Sequence, residues 1–348
     1  MTRGSRKAFI PQKYRPQVKG EKIEGVPPCD KQDAPANLCW KNLKVRRKKP
    51  IHAIVCIHVR EDSSQSKVLS DCGHQGNIIF LHYDDLGVKW NFSFYKKTLI
   101  FYTELGPVLP IGIYNRPYCP SDTDPRFHIF MNFLSVWDVC THYSAVGPRS
   151  IHFHNSSKPY QLITTVQRAL KNALGSAVSF PRSFCIKGNK EFLKKKLEEC
   201  GPLIVKSLSG TRSIVSSSDV FLQWDWSSLA FLPTFFQVAC AGPDIRVHWL
   251  DGHYYASVVR YKEGSIDFRY ANKRSGYEKF VPSKKLRLFV SHLVDAENLR
   301  LAGVDLIKNG RDFICLECNP NPGWAGFHRS TNDENQLARK LIRSLSCP

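Results

Sequence analysis

Three oxygen-bearing side chains late in the sequence, Asp305, Glu317 and Asn319, have the types and the spacing to hold a hard cation. Glu317 and Asn319 lie two residues apart, so on a strand they leave the same face, and Pro320 stops the chain just after them. Two carboxylates and an amide oxygen, completed by a phosphate, suit Mg²⁺, which prefers oxygen donors and takes few of them from the protein. The elements that would position them are two β-rich runs flanking Asn309-Gly310, a pair that tolerates the positive φ of a tight hairpin. A strict two-residue loop puts Asp305 on the face opposite Glu317, whereas one extra loop or bulge residue brings all three together. The same pattern also fits a plain hairpin with polar edge residues, and spacing does not choose between the two.

Cations form a second group. The apolar run Leu203-Ile204-Val205-Lys206 delivers one lysine into the loop Ser207 to Ser213, where Lys charge and loop N–H groups could clamp a phosphate. Arg246, Arg260 and Arg269 read either as anion ligands or as surface residues on exposed strands. His152 and His154 share a face of a predicted strand and permit a metal pair, or stand as ordinary surface histidines. Cys315 and Cys318 form a CxxC with no second pair to complete a zinc site. On a regular strand they face opposite ways, so buried strand cysteines are the better reading.

A chain of 348 residues with 42% hydrophobic content can bury more than one core, and two or three domains are expected. No run of eighteen apolar residues or secretory signal core is found, and twelve cysteines without framework spacing suit reduced thiols, so cytoplasmic residence and no membrane partner are expected. Residues 1–49 hold fourteen Lys and Arg against four acids, half of the formal charge of +20. With six prolines, residues 1–50 read as a basic flexible arm, either a solvated tail or a segment for an acidic partner. Residues 51–155 follow as a small α/β domain: strand 51–59, a short helix capped at 62–64, strand 77–82, strands 90–95 and 98–103, and a helix over 127–140. Then come a helix over 160–174 between Pro159 and Gly175, a helix over 191–200 stopped by Gly201, and strand 203–206. Strand 231–239 and a hairpin turned at Asp251-Gly252, with its second strand at 254–261, complete the reading.

Asp305 … Glu317-x-Asn319-Pro320-x-Pro322-Gly323 resembles the metal-binding signature of the ATP-grasp ligases, in the form seen in RimK-type amino-acid ligases and graspetide (microviridin-type) peptide maturases. The likeness runs from about Asn155 to the end of the sequence. It implies an α+β, ATP-grasp fold in which two α/β subdomains clamp ATP, here residues 156–348, with a lid at about 178–232 and a C-terminal subdomain at about 233–348. By position in the family, Lys158 and Lys206 become phosphate lysines and Ser209 and Gly210 part of the lid loop. Gln237 becomes the hinge glutamine, with backbone at Val238, Ala239 and Cys240 reading adenine. Relatives commonly place Glu where this chain has Val238, which removes the usual ribose contact. Asp244-Ile245-Arg246, Arg260 and Asp267-Phe268-Arg269 resemble the RimK-type pattern, and imply arginines for a substrate carboxylate and the tetrahedral oxyanion. The resemblance implies ATP with Mg²⁺, or Mn²⁺ in its place, as cofactors. It also implies an ADP-forming carboxylate–amine or –hydroxyl ligase for an acidic peptide or protein, working through an acyl-phosphate. Two other classes stay open: an inactive ATP-grasp scaffold or nucleotide sensor, which intact Asp305, Glu317 and Asn319 argue against, and a basic nucleic-acid binder, for which no RRM, KH or zinc-finger signature is present.

Overall fold

The structure, a computed structural model, describes residues 49–58, 63–72, 78–95, 98–116, 144–146, 178–187, 190–206, 215–217, 233–261, 274–296, 299–326 and 333–346, with isolated positions at 159, 162–163, 222–223 and 331. The expected helix 127–140, most of helix 160–174, and His152 and His154 lie outside the described residues.

A strand apolar on both faces must be covered on both. β1 (Ile51–His58) is buried from Ala53 onward, and it leads through α1 (Ser63–Cys72) to β2 (Ile78–His82), the β-α-β opening expected from the sequence. β3 (Asn91–Tyr95) and β4 (Thr98–Thr103) form an antiparallel pair, β5 (Gly106–Asn115) returns parallel to β1, and β6 (Ser144–Val146) pairs with β5. The strand order is β2-β1-β5-β4-β3. The sequence reading did not include β5, because Pro107 and Pro110 interrupt it; the ladder to β1 shifts register beside Pro110, between Ala53 and Ile54, while Pro107 pairs with Tyr102 of β4.

Next come β7 (Val178–Ser179), β8 (Ser183–Lys187), α2 (Lys190–Cys200), β9 (Leu203–Lys206), β10 (Val215–Ser217) and β11 (Pro233–Val238). Four of these strands form an antiparallel sheet in the order β10-β9-β11-β8. Leu193 of α2 packs with Leu203, Val205 and Phe236 on one face. Alternation therefore leaves Ile204, Lys206 and Gln237 for the other face.

The third sheet contains β12 (Asp244–Leu250), β13 (His253–Tyr261), β14 (Arg274–Lys279), β15 (Leu301–Asn309) and β16 (Asp312–Asn319), in the order β14-β13-β12-β15-β16-β7. Asp251 and Gly252 take φ of 44° and 82°, the positive angles that their hairpin turn requires. α3 (Lys284–Ala296) covers Ile245, Val247, Val304 and Leu306 with Phe289, Val290 and Leu293. α4 (Asp333–Ser346) brings Leu337, Leu341 and Leu345 into one core with Ile54 and Cys56 of β1 and Leu250 and Leu301. Gly112 permits that closeness, since a Cβ there would lie 2.2 Å from the Leu345 carbonyl oxygen. Neither α3, α4 nor β14 was singled out from sequence. Among the described residues no helix is long and apolar enough to cross a membrane.

Candidate functional site

The β15–β16 hairpin closes with Asn309 opposite Asp312, so its two-residue loop is Gly310-Arg311, one position later than Asn309-Gly310 suggested, with Gly310 at φ 62°. Such a loop alone would send Glu317 to the wrong face. The ladder corrects this: Leu306 faces Cys315 while Asp305 faces Glu317, so Leu316 is an extra, bulged residue. This is the bulge on which a shared face depends. It also corrects the reading of the CxxC, because i and i+3 now point the same way; both thiols lie in the core under α3. Among the described residues no group of three His, Cys, Asp or Glu side chains is arranged for a metal.

A polar row runs across adjacent strands. Arg246 on β12 is opposite Asp305 on β15, which is opposite Glu317 on β16, and Gly303 is opposite Asn319. The Arg246 guanidinium, buried to 6% exposure, meets both carboxylate oxygens of Asp305 through Nε and Nη2. The sequence reading assigned Arg246 to a substrate anion; the structure gives it Asp305. The Asp305 side chain keeps 21% exposure, an open side where a ligand can meet it. Its carboxyl is pushed up to about 8, first by burial and then by the neighbouring Glu317, against the pull of Arg246. Two carboxylates so placed hold a proton between them unless a cation takes its place. Asn319 Oδ1 accepts the Asn321 N–H at 2.8 Å, which orients the amide and leaves its second lone pair. Two carboxylates and one oriented amide oxygen fit Mg²⁺, the remaining positions being left to water or phosphate.

The loop after Asn319 is fastened from several sides. Arg116 Nη1 donates to the Pro322 carbonyl at 2.5 Å, and His248 Nε2 donates to the Gly323 carbonyl at 3.2 Å. Fully buried Trp324 donates through Nε1 to Tyr114 Oη at 3.0 Å, which donates to Gln65 Oε1 at 3.0 Å. Gly303 is needed beneath, for a Cβ there would stand 2.6 Å from Pro322 Cβ and 2.8 Å from Arg246 Nη1. Sequence reasoning gave no role to His248, Gly303 or Trp324. Only alternation with Arg246 could have placed His248 on the site face.

In the second sheet Lys206 Nζ donates to Oε1 of Gln237, itself 2% exposed. Burial pushes the Cys240 thiol up while Lys206 pulls the other way, so this thiol shares the lysine's field. The amides of Val238 and Ala239 already donate to the Arg182 and Pro202 carbonyls, at 2.9 and 2.8 Å. Among the described residues, Cys240 is the one of the three whose amide has no such bond to another main-chain group. The Val238 side chain packs into the core behind the sheet, which accounts for an apolar residue at this position. Lys158, Ser209, Gly210 and Arg269 lie outside the described residues; Arg260 is on β13, its backbone opposite Gly276.

The polar row of Arg, Asp, Glu and Asn thus lies on the mixed six-stranded sheet, and the Lys–Gln pair on the four-stranded one. Residues 173–345 match the RimK-like ATP-grasp domain. The chain has the ATP-grasp fold. A probable α-L-glutamate ligase of Haemophilus influenzae is 24% identical over 243 residues, which are 66% of this chain and 77% of that protein. Among solved structures, the macrocyclase MdnC of Microcystis aeruginosa, bound with the precursor peptide MdnA, matches with a TM-score of 0.64 and 16% identity over 84% of this chain and 99% of its own. The ATP-grasp ligase PsnB, complexed with a precursor variant, Mg and ADP, has a TM-score of 0.64 at 19% identity over 84% and 98%. D-alanyl-alanine synthetase A of Vibrio cholerae has 0.59 at 11% identity over 86% and 98%.

Proposed function

We propose that this ATP-grasp protein is an ADP-forming carboxylate–amine or carboxylate–hydroxyl ligase that acts on an acidic peptide or protein through an acyl-phosphate. The observation that carries the reading is the in-register row Arg246–Asp305–Glu317 with Asn319 beside it. A hairpin with merely polar edges does not need a bulge, a buried bidentate arginine and an oriented amide on one face. The solved neighbours with precursor peptides support a peptide substrate, and the formal charge of +20 supports an acidic one.

A substrate carboxylate oxygen attacks the γ-phosphorus, ADP leaves, an amine or hydroxyl adds to the acyl carbon, and phosphate departs. Bound Mg²⁺ supplies charge neutralisation on the transferred phosphoryl group, and Asp305, Glu317 and Asn319 would hold it. Arg246 keeps Asp305 in place and favours its ionised form. Lys206, steered by Gln237, and Lys158 meet the phosphates. Arg260 and Arg269 hold the substrate carboxylate and the oxyanion that follows. The basic residues 1–49 raise the encounter rate with an acidic partner.

Glu317→Gln tests the reading. ADP release from Mg-ATP in the presence of acidic peptides should be abolished while the circular dichroism spectrum and melting profile remain folded. Mass spectrometry of peptides co-expressed with the wild type should show water loss within a chain or amino-acid addition. A variant that releases ADP at the wild-type rate would sink the proposal.

A further inference from the structure

In an open α/β sheet, ligands bind outside the carboxyl ends of the strands where the chain's direction of travel along the sheet reverses. The N-terminal sheet has such a point. From β1 the chain passes through α1 to β2 on one side, while β5 lies on the other. At that edge His58 and His82 are paired in register, and the Arg116 N–H donates to the Ile57 carbonyl at 2.8 Å, which sets Arg116 next in the row. The two imidazole centroids are 4.6 Å apart at 75°, and Ser66 on α1 lies 2.8 Å from His58 Nε2. His82 Nδ1 is buried without a hydrogen-bond partner among the described residues. Two imidazoles in contact, one ring nitrogen unsatisfied, with an arginine at the next position of the row, make a concentration of N–H donors that an anion would complete.

This edge adjoins the metal-side loop. Arg116 holds the Pro322 carbonyl, three residues beyond Asn319, and Gln65, the neighbour of Ser66, lies 3.7 Å from where a Gly323 Cβ would be. We propose that the row His82–His58–Arg116 is a carboxylate-binding subsite for the acidic peptide, taking a side-chain carboxylate other than the one being activated. The proposal rests on the ligase reading for its substrate class. His58 and His82 are binding residues in this assignment, while Arg116 both faces the anion and positions the loop.

The probe is a fluorescein-labelled oligo-glutamate peptide, titrated by anisotropy into the full chain with Mg-ADP present, with oligo-glutamine as the neutral control. His82→Gln should weaken oligo-glutamate binding about ten- to a hundredfold, as loss of a hydrogen bond to a charged group does, and leave Mg-ADP affinity by calorimetry unchanged. Should His58→Gln fail to fold because His58 is buried, the less buried His82 and a Ser66→Ala variant still decide the matter. Unchanged oligo-glutamate affinity in His82→Gln overturns the subsite, as does an equal loss of Mg-ADP affinity, which would assign the row to nucleotide phosphate. Histidine-dependent binding in a protein that never consumes ATP supports the subsite and defeats the ligase reading. Turnover of acidic peptide with KM indifferent to both histidines overturns the subsite and leaves the ligase reading intact.

Discussion

Gly303→Ala is the most economical test of how the residues of the proposed metal site are held. The added methyl would arrive 2.6 Å from Pro322 Cβ and 2.8 Å from Arg246 Nη1, both well inside van der Waals contact. Neither neighbour yields easily: Arg246 is buried against Asp305, and the Pro322 carbonyl is held by Arg116. Forcing a methyl into a packed site costs about 1–3 kcal/mol. At about 2–4 °C per kcal/mol for a unit of this size, the melting temperature should fall by roughly 2–12 °C. Because the displaced groups are the arginine on Asp305 and the loop next to Asn319, Mg²⁺-dependent ADP affinity should fall as well, whereas ADP binding without Mg²⁺ should change little. Gly326→Ala is the internal control, for nothing lies within 4 Å of its Cβ position. Differential scanning fluorimetry and calorimetry with and without Mg²⁺ read both effects. If Gly303→Ala melts and binds Mg-ADP like Gly326→Ala, the close packing described around Gly303 is wrong.

Two further outcomes are expected. Lys206→Met should weaken ATP binding by about 1.5–3 kcal/mol, the scale of a hydrogen bond to a charged group, without altering the secondary structure seen by circular dichroism; calorimetry showing full affinity would remove Lys206 from the nucleotide site. Burial works against ionised Asp251, yet Arg300 at 2.8 Å and Ser344 hold its carboxyl below the usual carboxylate range. Its contribution to stability is therefore complete above the unfolded-state value of about 3.9 and disappears as pH falls through the lower folded value. Asp251→Asn keeps a residue that accepts positive φ and should cost about 1 kcal/mol at pH 7, with the difference from wild type vanishing in acid. A difference that persists in urea melts at low pH would mean that the turn, not the charge, carries the effect.

Strands such as β1, β3, β4, β9 and the β12–β13 and β15–β16 hairpins were legible because apolar runs, Gly and Asn turns and Pro stops act locally, whereas their order in the sheets was not read from the sequence. Asp305, Glu317 and Asn319, the residues of the proposed metal site, stood out by type, and the bulge was deducible as a requirement from the two-residue loop, but its location at Leu316 was not. That position is decided by which β16 residues the α3 core accepts, and Cys315 and Cys318 both go there. The pairing of Arg246 with Asp305 was hidden for a similar reason, since it depends on the register of two strands far apart in sequence. β5 was missed because two prolines outweigh its apolar content in any local reading. The ties from Arg116 and Tyr114 to the 319–324 loop leave no local signal, being contacts of 206 and 210 residues' separation.

The shared core of α4 and β1 has a consequence for the order in which the molecule can be made. Ile54 and Cys56 are covered by Leu337, Leu341 and Leu345, so during synthesis the first sheet must wait on the ribosome for a helix translated almost three hundred residues later, with one apolar face uncovered. Contacts that bridge such a span close large loops and slow folding. A nascent chain arrested before residue 333 should therefore engage chaperones and resist productive folding, and a truncation that keeps every strand of the two later sheets but removes α4 would disable the protein through its opposite end.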